Sequence, residues 1–132
     1  MDKSRKVVLV VDDEVGMREM LSWLLGKEYD VVAASDGVEG AARIAAGGVD
    51  IVVTDVTMPR LGGFGVLEAA AGTFPRTPAI VMTGFGTVEM AVQAMRQGAS
   101  DFLLKPFDAQ VLADRIQETL TRRSPAGIEV SG

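Results

Sequence analysis

Runs of apolar residues alternate along the chain with stretches in which apolar residues recur every three or four positions. The first run, Val7–Val11, is unbroken and largely β-branched, which is typical of a strand buried on both faces of a parallel sheet. From Val15 the apolar positions follow helical spacing, and Gly26 is expected to end this helix. The chain therefore begins with a strand followed by a helix.

The same alternation is repeated four more times. Further strands are predicted at residues 30–34, 51–54, 79–82 and 101–104. Two helices are predicted at 38–46 and 62–71. A third has an apolar face formed by Val88, Ala91, Val92 and Met95, and Gly98 is expected to end it. A fourth begins after Asp108, which can cap it, and has an apolar face formed by Leu112, Ile116 and Leu120. Alternating strands and helices indicate right-handed crossovers and a parallel sheet covered on both sides. The predicted fold is a doubly wound α/β structure with five parallel strands and five helices.

Composition narrows the classes of function. Hydrophobic residues make up 48% of the 132 residues and charged residues 23%, which suits one packed domain. The net charge of -5, without a basic cluster, argues against direct binding of nucleic acid. Because the chain has no Cys and no His, a metal would have to be bound by oxygen atoms. The apolar run near the N-terminus is too short for a membrane span, so we expect a cytoplasmic protein.

Polar residues with complementary chemistry follow four of the predicted strands. Asp12 and Asp13 follow the first strand, Asp55 the third, Thr83 the fourth and Lys105 the fifth. In open α/β sheets, ligands bind outside the carboxyl ends of the strands. We therefore expect these five side chains to meet at one edge of the sheet.

This set of groups suits phosphoryl transfer. Carboxylates within about 5 Å of each other repel by about 3 kcal/mol per pair at an effective dielectric of 20. Mg²⁺, which prefers oxygen ligands, and Lys105 would offset this repulsion. An aspartate beside both charges, Asp55, can attack a phosphoryl group as a nucleophile, and the Thr83 hydroxyl can then bind a phosphoryl oxygen.

Each residue also has an ordinary structural explanation when it is taken alone. Asp12 or Asp13 is more often a plain helix N-cap, and Asp55 could cap a loop. Lys105 is most often a solvated charge, and an aromatic residue in a strand, such as Phe102, is usually part of the core. The coincidence of complementary groups at four strand ends favours a functional site over these separate explanations.

Four sequence motifs carry a resemblance to a known family. They are Val-Val-Asp-Asp-Glu at 10–14, Thr-Asp-Val-Thr-Met-Pro at 54–59, Met-Thr-Gly at 82–84 and Lys-Pro-Phe at 105–107. Over residues 6–122 the chain resembles the receiver domains of bacterial two-component response regulators, and residues 83–102 are similar to NtrC-type and FixJ-type transcriptional regulators. The resemblance implies the flavodoxin-like (CheY-like) strand order 2-1-3-4-5. We assign residues 1–123 to the receiver domain and 124–132 to a linker or tail.

The resemblance also implies a role for each candidate residue. Asp55 would accept the phosphoryl group from a sensor histidine kinase, and Thr83 and Lys105 would contact that group. The ligands of Mg²⁺ would be the side chains of Asp12, Asp13 and Asp55 and the backbone carbonyl of Thr57. The domain would act as a switch for an output domain that controls transcription, outside this chain, and not as a turnover enzyme.

Further expectations from the family concern the switch itself. Phosphorylation would draw Thr83 toward Asp55, and Phe102 would turn inward. This would change the face formed by the fourth helix, fifth strand and fifth helix, which we expect to be a surface for output or for a phosphorylation-dependent homodimer. Thr57 and Phe85 would flank the path by which water reaches the phosphoryl group.

The family pattern leads to expectations about two local features. The bond between Lys105 and Pro106 is expected to be cis. Gly62 stands where the family often has an aspartate, so the loop before the third helix should be more flexible.

Two other classes of function share features with this hypothesis but fit the sequence less well. A haloacid-dehalogenase-like phosphatase would need a second aspartate two residues after the nucleophile, where this chain has Thr57. A pseudo-receiver scaffold would usually lack an acidic residue, the threonine or the lysine, and this chain has all of them. A nucleotide or flavin site is not expected, because no glycine-rich phosphate motif follows the first strand.

Overall fold

The computed structural model describes residues 5–56, 62–84 and 87–122. The five strands are β1 (Val7–Val11), β2 (Asp30–Ala34), β3 (Ile51–Asp55), β4 (Ala79–Thr83) and β5 (Asp101–Leu104). The five helices are α1 (Val15–Leu25), α2 (Gly37–Ala46), α3 (Gly63–Ala71), α4 (Val88–Arg96) and α5 (Ala109–Arg122). The predicted elements are all present, and their ends lie within a residue or two of the sequence-based bounds wherever those bounds were specified.

All strand pairs in the sheet are parallel, and the strand order is β2-β1-β3-β4-β5. This confirms the predicted doubly wound fold and the order 2-1-3-4-5. Strand β1 pairs with β2 on one side and with β3 on the other, so the order in which strands are added to the sheet changes side at β1. Ligand sites of such sheets form at this reversal, beyond the carboxyl ends of the strands.

Apolar side chains cover both faces of the sheet. One core cluster lies between the sheet and α2, α3 and α4, and includes Ile44, Leu67 and Ala94. The other lies between the sheet and α1 and α5, and includes Leu21 and Ile116. The central strands β1, β3 and β4 are buried along nearly their whole length, which accounts for their continuous apolar sequences.

The predicted helix boundaries have identifiable physical causes. Asp108 caps α5, because its side chain accepts a hydrogen bond from the Gln110 amide at 2.8 Å. Gly98 follows α4 with a positive φ of 99°, a conformation that favours glycine. Gly62 is the N-cap of α3 and has an extended backbone conformation, which residues other than glycine also adopt.

The apolar faces of α4 and α5 have different environments. Leu112 and Ile116 of α5 are fully buried. On α4, by contrast, Val88 is 78% exposed and Met95 48% exposed, while the small Ala94 makes the contact with the core. The helical spacing of apolar residues on α4 therefore marks a surface, not a packed face.

Residues 124–132, assigned from the sequence to a linker or tail, lie outside the described residues. Within the described residues, no helix combines the length and apolar character that crossing a membrane requires.

Candidate functional site

Parallel strands bring the candidate residues to one edge of the sheet. Asp12 follows the last residue of β1, Asp55 and Thr83 are the last residues of β3 and β4, and Lys105 follows β5. The backbone itself joins two of these ends, because the Lys105 amide donates a hydrogen bond to the Thr83 carbonyl at 2.8 Å. The peptide bond between Lys105 and Pro106 is cis, as predicted.

Three carboxylates form a cluster at this edge. One oxygen atom from each of Asp12, Asp13 and Asp55 lies within 4.8 Å of the others. Asp12 has no exposed surface and Asp55 is 6% exposed, whereas Asp13 is exposed to solvent. The cluster is thus anchored in the interior and open on the Asp13 side, where a ligand can enter.

Lys105 is the cation at the centre of this cluster. Its Nζ donates hydrogen bonds of 2.8 Å to Oδ2 of Asp12 and 2.8 Å to Oδ2 of Asp55. A third carboxylate, Glu14, lies 3.7 Å from the same nitrogen but is largely exposed. One ammonium group therefore neutralises part of the charge of several carboxylates at once.

The shared lysine changes the ionisation of the site. Burial raises the pKa of Asp12 above its ordinary value, and the nearby charge of Asp55 adds to this, although the hydrogen bond from Lys105 opposes it. Burial would lower the pKa of Lys105, but its hydrogen bonds to Asp12 and Asp55 outweigh burial and raise it. The charged form of the lysine is thus stabilised beside a carboxylate that ionises less readily than an ordinary aspartate.

The backbone around Asp55 is held tightly. The Thr54 hydroxyl donates a hydrogen bond of 2.9 Å to the Asp55 carbonyl, and the Val56 amide donates one of 3.3 Å to the Met82 carbonyl. Gly63 at the start of α3 approaches so closely that a Cβ there would overlap the Asp55 carbonyl oxygen. A glycine is therefore required at position 63, and the Asp55 carboxylate projects from a rigid support.

Thr83 and Phe102 lie on neighbouring strands of the same sheet. Thr83 is fully buried at the end of β4. Phe102 of β5 pairs in register with Val81, two residues before Thr83, and packs partly buried against the core cluster on the α4 side. A movement of Thr83 would therefore act close to the Phe102 ring.

The residues around the cluster differ in part from those predicted from the sequence. Thr57 and Phe85, predicted to flank the path of water, lie outside the described residues. Glu14 and Arg18 were not predicted from the sequence, yet Glu14 approaches Lys105 and the Arg18 guanidinium donates a hydrogen bond of 2.7 Å to the Asp12 carbonyl. The one available signal was the position of Arg18 in the first turn after the aspartates.

The donor atoms of the cluster suit a hard divalent cation. All three side chains offer carboxylate oxygens, and the open side of the cluster leaves room for water and a phosphoryl oxygen. Such an arrangement suits a cation that prefers oxygen ligands better than metals that prefer nitrogen or sulfur ligands.

Comparisons with known proteins agree with this geometry. The family model of the response regulator receiver domain matches residues 8–117. The chain is 36% identical over 123 residues to the response regulator protein FleR of Pseudomonas aeruginosa, covering 92% of this chain and 26% of FleR. It is 39% identical over 116 residues to the transcriptional regulatory protein ZraR of Salmonella typhimurium, covering 87% of this chain and 25% of ZraR.

The fold comparison leads to the same family. A receiver domain crystal structure from Clostridium thermocellum superimposes with a TM-score of 0.83 at 32% identity, covering 89% of this chain and 96% of that one. The chain spans about a quarter of the length of the curated relatives FleR and ZraR, so the match concerns their receiver portions. This chain belongs to the family of response regulator receiver domains of two-component systems.

Proposed function

We propose that Asp55 accepts a phosphoryl group from a sensor histidine kinase in a reaction that depends on Mg²⁺. The observation that carries this proposal is the position of Lys105, whose ammonium lies 2.8 Å from Oδ2 of both Asp55 and Asp12 at the open end of the sheet. Membership of the receiver family supports it independently. Asp55 is the member of the acidic cluster that ends the strand between β1 and β4 in the sheet.

The chemistry is a single transfer. A carboxylate oxygen of Asp55 attacks the phosphorus of a phosphohistidine, an O–P bond forms, and the P–N bond breaks with its electron pair returning to the imidazole. Lys105 stabilises the phosphoryl oxygens, and Asp12, Asp13, Asp55 and the carbonyl of Thr57 would hold the Mg²⁺ ion. When bound, this ion supplies positive charge that further stabilises the transferring group. The product is an acyl phosphate on Asp55, so the domain is a phosphoacceptor and not a turnover enzyme.

The labelling experiment uses acetyl phosphate and MgCl₂ with intact-protein mass spectrometry. Wild type should gain one phosphoryl group, and Asp55→Asn should gain none. Asp30→Asn is the matched control, because Asp30 is an exposed carboxylate at the opposite end of the sheet. Equal labelling of Asp55→Asn and wild type would contradict the assignment.

The acyl phosphate is proposed to act as a switch. Thr83 would bind a phosphoryl oxygen and move toward Asp55, and Phe102 would occupy the space that Thr83 leaves. Phe102 belongs to β5, which contributes to the face that α4, β5 and α5 form, and Thr83 lies on the neighbouring strand β4. On this face Val92 is 43% exposed and Leu104 55% exposed, and such apolar exposure is typical of a protein interface.

We assign this face to a phosphorylation-dependent homodimer or to contact with an output domain. The relative ZraR is a transcriptional regulatory protein, which supports transcription as the output. Gel filtration with and without beryllofluoride, a stand-in for the phosphoryl group, tests the homodimer. Wild type should dimerise only with beryllofluoride, and Val92→Asp should stay monomeric while its Asp55 remains fully labelled. If Val92→Asp still dimerises with beryllofluoride, the dimer interface does not lie on this face.

The lifetime of the acyl phosphate is proposed to depend on Thr57 and Phe85. Neither residue offers a carboxylate that could orient an attacking water, and the apolar ring of Phe85 can only obstruct one. Hydrolysis should therefore be slow, as suits a regulator of transcription in the cytoplasm.

A further inference from the structure

Arg18 connects the first helix to the acidic cluster. It lies in the first turn of α1, where its amide donates to the Glu14 carbonyl at 3.1 Å. Its half-buried side chain turns back toward the end of β1, and Nη1 donates a hydrogen bond of 2.7 Å to the Asp12 carbonyl. In the described part of the chain, Arg18 forms no ion pair with the carboxylates of the cluster.

This hydrogen bond completes the set of contacts that hold Asp12. The Asp12 amide donates to the Ala34 carbonyl at 3.1 Å, and Oδ1 accepts from the Glu14 amide at 2.8 Å. Oδ2 accepts from Lys105, and the carbonyl oxygen accepts from Arg18. Every polar atom of Asp12 is thus held, and among the described residues Arg18 is the one whose charged side chain binds the carbonyl.

The Asp12 carbonyl belongs to the peptide group that joins Asp12 to Asp13. Holding its oxygen fixes the plane of this peptide, and therefore the direction in which Asp13 leaves the backbone. The Asp13 carboxylate needs such support, because among the described residues no hydrogen bond or ion pair reaches it. Its place in the cluster depends on the backbone alone.

We propose that Arg18 is a positioning residue of the magnesium site: by fixing the peptide between Asp12 and Asp13, it aims the exposed Asp13 carboxylate at the ion. This proposal rests on the proposed function, which places Mg²⁺ among Asp12, Asp13 and Asp55. Groups that hold metal ligands in place typically account for about tenfold or more in metal affinity.

Whether Arg18→Met strengthens or weakens Mg²⁺ binding distinguishes a positioning role of Arg18 from an effect of its charge alone. Arg18 is a cation near an acidic cluster, and a nearby cation repels a divalent ion. If charge alone mattered, Arg18→Met would bind Mg²⁺ more tightly than wild type. If Arg18 aims Asp13, the same substitution weakens binding, although it removes a repulsive charge.

The test is a titration with MgCl₂ at constant ionic strength, followed through the NMR amide shifts of Asp13 and Asp55. Arg18→Met should bind Mg²⁺ about tenfold more weakly than wild type. Arg18→Lys, which keeps a donor and the charge but loses the planar fork, should lie between the two. The matched control is Arg43→Met, because Arg43 is an exposed arginine in the last turn of α2, far from the cluster. It removes the same charge and should leave the affinity unchanged.

A second readout is the labelling rate with acetyl phosphate as MgCl₂ is raised. Arg18→Met should need about tenfold more MgCl₂ for half-maximal labelling but reach the wild-type rate at saturation. Equal or tighter Mg²⁺ binding by Arg18→Met, or a rate that saturating MgCl₂ does not restore, would overturn the role of Arg18 while leaving the magnesium site standing. A wild-type protein that does not bind Mg²⁺ would overturn the proposed site and this inference together.

Discussion

The two ends of the sheet use the same residue type in different ways. Three aspartates lie at or next to the amino ends of strands, and each has its own partner: Arg5 for Asp30, the Val7 amide for Asp50, and Arg115 for Asp101. At the carboxyl ends, Asp12, Asp13 and Asp55 converge within 4.8 Å. Of the described residues, Lys105 is the cation that pairs with this cluster.

The difference shows how structural and functional carboxylates can be distinguished. A carboxylate with a separate partner is satisfied by the fold and has no need of a ligand. Carboxylates that share one cation retain negative charge, which a divalent metal and a transferring phosphoryl group can use. The carboxyl end of the sheet is therefore expected to lower the stability of the metal-free protein in return for function.

The largest expected effect is the loss of Lys105. Lys105→Met removes the ammonium group that pairs with buried Asp12 and Asp55. We expect it to lower the free energy of unfolding by about 3 kcal/mol, the lower end of the range for breaking a buried ion pair, because the Asp13 side is open to solvent. Urea denaturation of the metal-free protein measures this.

Arg115→Met is the matched comparison at the amino end. Its ion pair with Asp101 is partly exposed to solvent, with side-chain exposures of 39% and 22%, so its loss should cost less than the loss of Lys105. Equal losses for the two variants would show that sharing a cation does not distinguish the two ends.

A smaller effect of opposite sign is expected at Asp12. Because burial raises the pKa of Asp12, its charged form is less favourable in the folded protein than in the unfolded chain. Asp12→Asn should therefore raise the free energy of unfolding of the metal-free protein at neutral pH, as expected for removing a carboxylate with a raised pKa. The same substitution should weaken Mg²⁺ binding.

The dependence on pH checks the cause of this gain. When the folded pKa is raised, the penalty for ionising the carboxylate grows from the ordinary pKa upward and is complete above the folded pKa. The stabilisation by Asp12→Asn should thus shrink as the pH falls through the raised pKa, and vanish below about 3.9, the ordinary value for aspartate. A gain that does not change with pH would assign it to packing, not to charge.

The smallest effect is expected at Glu14, which lies at the same end of the sheet but is largely exposed. Its carboxylate is 3.7 Å from the Lys105 amine, and solvent screens this interaction. Glu14→Gln should change the free energy of unfolding by less than about 0.5 kcal/mol in urea denaturation. A change as large as that of Asp12→Asn would mean that proximity to Lys105, not burial, governs the cluster.

Much of the fold could be predicted from the sequence, because strands buried on both faces leave long apolar runs and helices leave apolar spacing. Strand order could not be derived in this way and came from the resemblance to a family. The exposure of α4 was also not predicted. Val88, Ala91, Val92 and Met95 have the spacing of a core face, but the small Ala94 packs inward, and a single sequence does not show which apolar face the neighbouring elements cover.

The site was predictable where chemistry follows a strand end. The placement of Asp55 at the end of β3 and of Lys105 after β5 follows from strand boundaries alone. Contacts that depend on side-chain direction were not predictable. Arg18 lies in a helix whose spacing suggests nothing about function, and its hydrogen bond to the Asp12 carbonyl emerges only when β1 and α1 are packed together.

The most direct test of the claim that Asp55 is the phosphoacceptor identifies the phosphorylated residue itself. Wild-type protein is incubated with acetyl phosphate and MgCl₂, and borohydride then reduces the acyl phosphate to an alcohol, so that the modified aspartate becomes homoserine. Peptide mass spectrometry should find homoserine at position 55 and at no other aspartate, and none when MgCl₂ is omitted. Homoserine at Asp12 or Asp13, or at an aspartate of the amino end such as Asp50, would contradict the assignment of Asp55 as the phosphoacceptor.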